Sequence, residues 1–234
     1  YASSIDWGSA SWTKVNMDDA VYIYDTDNSQ YVGSVGGVSF NGGSEIIASS
    51  QSFFVHANAA SPSLIISEDC KASGSPTFFK YGNSLPNNLL RMQLSGVGNL
   101  YKDETVLQLK AGASNSFDPS FDAYKLYSWD YTAPNISTKI NGIEYVVNTI
   151  EKPIENVDLA VKVKVNTAGN YTLNFKGLQA FSTFPCLTFE DKLTGNWVDL
   201  KNDSSYTFFS AIDTVSSYNR FVLHLGVEEL RAYF

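Results

Sequence analysis

Carboxylates come first among the side chains that could do chemistry. Asp118 and Asp122 lie four residues apart, with Asp103 and Glu104 shortly before them. Glycoside hydrolysis needs an acid and a base or nucleophile flanking one bond, so such a set is a catalytic candidate. Its setting, ASNSFDPSFDAYKL, is a Ser/Asn/Pro loop, where aspartates ordinarily cap turns or hold calcium between strands. A second set, Asp25-Thr26-Asp27-Asn28-Ser29-Gln30, spaces oxygen ligands in the manner of a calcium loop. An EF-hand would need glycine and glutamate where this chain has Gln30 and Gly36. The competing reading is a polar bend in which Asp and Asn bond their own backbone. Asp25, Asp27 and Asn28 are the candidate ligands of a structural calcium, and no other cofactor is expected.

Trp129, Asp130 and Tyr131 form a different kind of candidate. Exposed aromatic rings stack on the apolar faces of sugars while neighbouring polar groups orient the hydroxyls. The alternative is that both rings cap the end of a sheet, with a buried body and a wet polar tip. Trp7, Trp12 and Trp197 invite the same two readings. His56 and His224 have no Ser or Cys in a nucleophile setting nearby, and there is no G-x-S-x-G. Cys70 and Cys186, with only two histidines, make no zinc signature and read as free thiols.

Bulk composition narrows the class. The net charge is −8 with no basic cluster, which argues against nucleic acid and anionic membrane as partners. No apolar run approaches the ~20 residues of a membrane-spanning helix. Aromatics at 14% and charged residues at 17% suit strands better than surface helices.

The elements that must carry these residues are strands. In LAVKVKVNTAGNYTLNF, Leu159, Val161, Val163 and Val165 alternate with polar positions, as do Tyr171, Leu173 and Phe175. One apolar and one polar face is the antiparallel pattern, and Gly169 in the connection predicts a tight hairpin turn. VYIYD and YVGSV flank the polar bend as a second hairpin, and Asn141-Gly142 joins a third. Short strands are expected over 45–48, 52–57 and 63–67, at Phe78-Phe79, and in LLRMQLS, ETVLQLK, CLTFEDKLTGNWVDL, SYTFFSAI and NRFVLHL. Only VEELRAYF at the end favours helix. About fifteen strands exceed one small sandwich. The expectation is therefore an all-β, antiparallel, jelly-roll-like protein of two abutting sandwich units, 1–75 and 76–226, with a tail over 227–234.

Three groups of segments carry a family resemblance: YASSIDW with VYIYDTDNSQYVGSVGG and QSFFVHANA; DETVLQLKAGASNSFDPSFDAYKL; and LTFEDKLTGNWVDL with YTFFSA and NRFVLHL. Together they resemble the β-rich modules that precede the C-terminal sorting domain in Bacteroidetes cargo of the type IX secretion system. That family normally has Gly-Asn-Pro before Tyr1 and proline where this chain has Ala2. The resemblance implies a bacterial extracellular or cell-surface location and a non-catalytic spacer or adhesive role. A carbohydrate-binding module is the alternative, and a polysaccharide-degrading domain ranks third. The chain is also expected to be a processed or excised part of a longer precursor, with a neighbouring domain or chain completing a sheet edge near residues 1–12.

Overall fold

The computed structural model describes residues 2–72, 88–212 and 220–227. All regular structure in them is β, apart from two single 3-10 turns at Glu68–Cys70 and Leu178–Phe181. The expected strand at Phe78-Phe79 and helix beyond Val227 lie outside the described residues.

The largest assembly is one sheet folded over on itself. Its first layer runs β11 (Asn135–Ile140), β13 (Val157–Lys164), β18 (Phe221–Gly226), β15 (Cys186–Asp191) and β16 (Asn196–Asp199). Its second runs β9 (Lys102–Leu109), β8 (Leu89–Gly96), β14 (Gly169–Lys176) and β17 (Ser205–Ser210). Strand β12 (Ile143–Ile150) turns the corner: Tyr145 pairs antiparallel with Thr138 of β11, while Val147 pairs parallel with Val106 of β9. The short β10 (Ala123–Tyr124) adds to β12. Leu159, Val161 and Val163 of one layer face Leu94, Leu173 and Phe175 of the other in a single core. Phe175 meets Phe189 at 5.2 Å, and Phe208 meets Phe221 at 4.7 Å. Two layers around one apolar filling is the sandwich solution to one-sided strands.

This arrangement corrects the hairpin expected at 159–175. β13 pairs with β11 and β18, and β14 with β8 and β17, so the two strands face each other across the core. Gly169 has no left-handed backbone, because the connection crosses between layers instead of turning within one. Alternation tells which side of a strand is dry. It does not tell whether the next strand lies beside it or opposite, since both placements bury the same residues. The Asn141-Gly142 hairpin is present, with φ of +50° and +87° at its two turn residues.

The N-terminal region builds a small sheet of β3 (Val21–Asp25), β4 (Gln30–Val35) and β5 (Val38–Phe40). Two short pairs accompany it, β1 (Ile5–Asp6) with β6 (Ile46–Ile47), and β2 (Thr13–Val15) with β7 (Ser63–Ile65). The run 52–57 contributes only isolated bridges, at Phe54 and Ala57. One face of the small sheet packs Val21, Ile23 and Val32 onto Ile5, Trp7 and Ile47. The other packs Tyr22, Tyr31, Val35 and Phe40 onto Leu89, Val106, Val146 and Val147 of the large sheet. β9 is therefore covered on both sides, which is why its polar Asp103, Glu104 and Thr105 are buried. At the edge expected to be open, Ile5 is bridged on both sides, to Ile47 and to Lys71. Nearby, β2 is paired to β7 alone.

Candidate functional site

The carboxylates singled out from the sequence are spent on structural contacts. Asp103 pairs with Lys125, accepts from the Ile136 amide at 2.7 Å, and accepts from Asn41 Nδ2 at 2.9 Å. Glu104 pairs with Arg91 at 2.8 Å and accepts from the Asn41 amide at 2.8 Å. Burial still holds Glu104 above the usual carboxylate range, with the Arg91 charge pulling the other way. Asp122 accepts from the Thr149 and Asp118 amides at 2.7 and 2.8 Å, and Asp118 from the Ser120 amide at 2.9 Å. Asp122 ties the 118–122 loop to β12, whereas Asp103 and Glu104, through Asn41, clasp the small sheet to the large one. Asn41 reaches them because the Asn41-Gly42-Gly43 turn lies hard on β4: a Cβ at Gly43 would stand 2.3 Å from the Gly33 nitrogen.

The Asp25 loop is a polar bend. One oxygen of Asp25 accepts from the amides of Asp27 and Asn28 at 3.0 and 3.2 Å, and the other from Asn28 Nδ2 at 2.6 Å. Its acceptors thus face the loop's own donors. Among the described residues no group of three or more His, Cys, Asp and Glu side chains is placed to hold a metal ion. Cys70 and Cys186 are both buried and free.

The tryptophans divide sharply. Trp7 is buried against Trp12 and Phe53 and donates its ring N–H to the Asp19 carbonyl. Trp197 is half exposed and stacks on His224, whose two nitrogens face Asp158 at 2.6 Å and Glu190 at 3.2 Å. Trp129 is 71% exposed and Tyr131 74%. The Trp129 ring stacks on Tyr24, centroids 4.9 Å and planes 21° apart, and the Tyr31 ring meets it edge-on at 6.4 Å. One face of the indole is thus fixed and the other lies open to solvent. Tyr24 and Tyr31 are cross-strand partners in the β3–β4 hairpin, so the small sheet props a loop of the large one.

Asp130 sits between the two exposed rings. The hydroxyl and amide of Thr132 donate to it at 2.7 and 2.8 Å. These bonds, with the hydroxyls of Tyr101 and Ser29 beside them, hold its carboxyl below the usual range. Asn166 Nδ2 donates to the Tyr131 carbonyl and Asn99 Nδ2 to the Thr132 carbonyl, each at 2.8 Å. Next to this loop lies a cleft of about 330 Å³ between residues 96–101 and 167–171, with Thr132 on its wall. Sequence reasoning named Trp129, Asp130 and Tyr131 and missed Tyr24, Tyr31, Tyr101, Thr132 and the cleft. The hairpin register alone would have placed Tyr24 opposite Tyr31. The approach of the other elements is tertiary.

The match to known families covers both sheets: the family model described as "Domain of unknown function (DUF8693)" matches residues 7–225. The chain belongs to this family. The matched span holds every residue of the aromatic site and of the Asn41 clasp. No curated protein and no solved structure matches the chain.

Proposed function

We propose that this protein is a non-catalytic adhesive module of a larger secreted or surface-attached bacterial protein, and that it holds glycans on Trp129. The open face of an indole clamped from behind by Tyr24 carries this reading. A flat apolar ring exposed at such cost in unfavourable hydration suits the flat apolar face of a sugar ring. Asp130 and Tyr131 beside it supply an acceptor and a second ring. The commitment of the buried carboxylates to the clasp supports a binding role over a hydrolytic one. The segments that resemble modules of type IX secretion cargo support the secreted or surface location. No helix of the described residues is long and apolar enough to cross a membrane.

A glycan array probed with the chain and with Trp129→Ala tests the binding role. Retention of some glycans by the wild type and of none by the variant is expected. Equal retention by both proteins would remove Trp129 from the account.

A further inference from the structure

The Trp129 platform does not end at Tyr131. Thr132, which bonds Asp130 with its hydroxyl and amide, lines the cleft, and so does Tyr101, whose hydroxyl faces the same carboxylate. Asp130 therefore stands at the junction of ring and cleft. The walls are Gly96–Tyr101 from the β8–β9 connection and Thr167–Tyr171 from the β13–β14 connection. The Val97 amide ties them together by donating to the Asn170 carbonyl at 2.9 Å, and the Tyr171 hydroxyl braces the second wall by donating to the Thr167 carbonyl at 2.7 Å. Leu100, 92% exposed, lines the cleft as well.

We propose that Trp129 and this cleft form one elongated site for an uncharged polysaccharide chain, with one sugar stacked on Trp129 and its neighbour seated in the cleft. This rests on the Trp129 reading above and extends it to chain length and charge. None of the residues lining the cleft is charged, and Asp130 at its lip is an anion. An acidic sugar would meet that carboxylate with no cation in the lining to answer it, whereas neutral hydroxyls can donate to it. The cleft volume falls at the small end of the ~300–1,000 Å³ typical of small-molecule sites, which suits a sugar unit. Among the described residues, the side chains of Asn170 and Thr167 make no internal hydrogen bond, and both line the cleft. The ties across Asn99, Asn166 and Asn170 fix the walls before any ligand arrives, which lowers the ordering cost of binding.

The test is an NMR titration of the full chain with oligosaccharides of one to six units from neutral glucan, mannan, xylan and chitin, with oligogalacturonate as the charged comparison. The Trp129 indole N–H reports the platform, and the amides of Gly98 and Gly169 report the cleft. Single sugars of the bound type should move only the indole signal. Three units should move all three signals and bind about tenfold tighter. Ala168→Trp, which fills the cleft from an exposed position, should cut that gain below about twofold and leave the single-sugar shift intact. Asn170→Ala serves if the larger substitution disturbs folding, with about a threefold loss confined to the longer ligands. Trp129→Ala should abolish both. A chain-length gain that is absent, or that survives both cleft variants, overturns the elongated site while leaving the platform. Tighter binding of oligogalacturonate overturns the neutral class. Failure of the wild type to bind any neutral sugar overturns the platform and the cleft together.

Discussion

The seam between the small and large sheets and the loop end around Trp129 are built from the same kinds of residue, aromatic rings and carboxylates. In the seam every such group is closed in. Asp103 and Glu104 face Lys125, Arg91 and Asn41, and Tyr22 and Phe40 lie against each other under the large sheet. At the loop end the Trp129 ring and the Asp130 carboxylate are held from behind and left open in front, by Tyr24 and by Thr132, while Asn166 pins the Tyr131 backbone beneath its exposed ring. Residue type does not separate structure from function here. What separates them is whether the last face of a satisfied group meets protein or water.

The widest contrast should come from Glu104→Ala, which removes the buried carboxylate that pairs with Arg91 and accepts from the Asn41 amide. A loss of about 3–5 kcal/mol in urea unfolding is expected, as for removal of one partner of a buried pair. A cost under about 1 kcal/mol, as for exposed pairs, would mean that the seam is wetter than its burial implies. Asn41→Ala removes the side-chain bonds to Asp103 and to the Tyr31 carbonyl and should cost about 1–3 kcal/mol. Asn41 has a left-handed backbone, φ +52°, so Asn41→Gly separates the two causes. A glycine variant as stable as wild type would assign the cost to backbone strain instead of the bonds. At the loop end, Trp129→Ala should cost no more than about 1.5 kcal/mol, the scale of a stacked pair, while removing sugar binding.

The last effect concerns pH. Burial pushes the Asp122 carboxyl up to about 6, against an unfolded value near 3.9. Between those values the folded state holds a proton that the unfolded chain has released. This carboxyl therefore stabilises the fold most below about pH 4, and that contribution is lost as pH rises through 6. Compared with Asp122→Asn, the wild type should gain stability as pH falls from 6 to 4. A constant difference across that window would show that the carboxyl has an ordinary pKa.

Local signals in the sequence were enough for the all-β class, the Asn141-Gly142 hairpin and the VYIYD–YVGSV hairpin, because turn chemistry and two-residue alternation are local. The 159–175 connection is not legible locally, because a strand pointing inward buries the same residues in a hairpin or across a core. Lys162 shows a related limit. It lies on the polar side of β13, yet it is buried, covered by Tyr127 and bonded to Glu144 at 2.7 Å. Nothing in the alternation of that strand signals a loop folding over it. The site was legible as three adjacent residues, Trp129 to Tyr131. Its support was not, because Tyr24 is 105 positions away and Asn99 comes from another hairpin.

Indole N–H spectroscopy tests the central claim most directly, because the chain has only four tryptophans and they differ in burial. During titration with a neutral oligosaccharide that the chain retains, the Trp129 signal should shift and saturate while the buried Trp7 signal stays fixed. Binding that moves Trp197 and leaves Trp129 unmoved would contradict the account and place the site at β16.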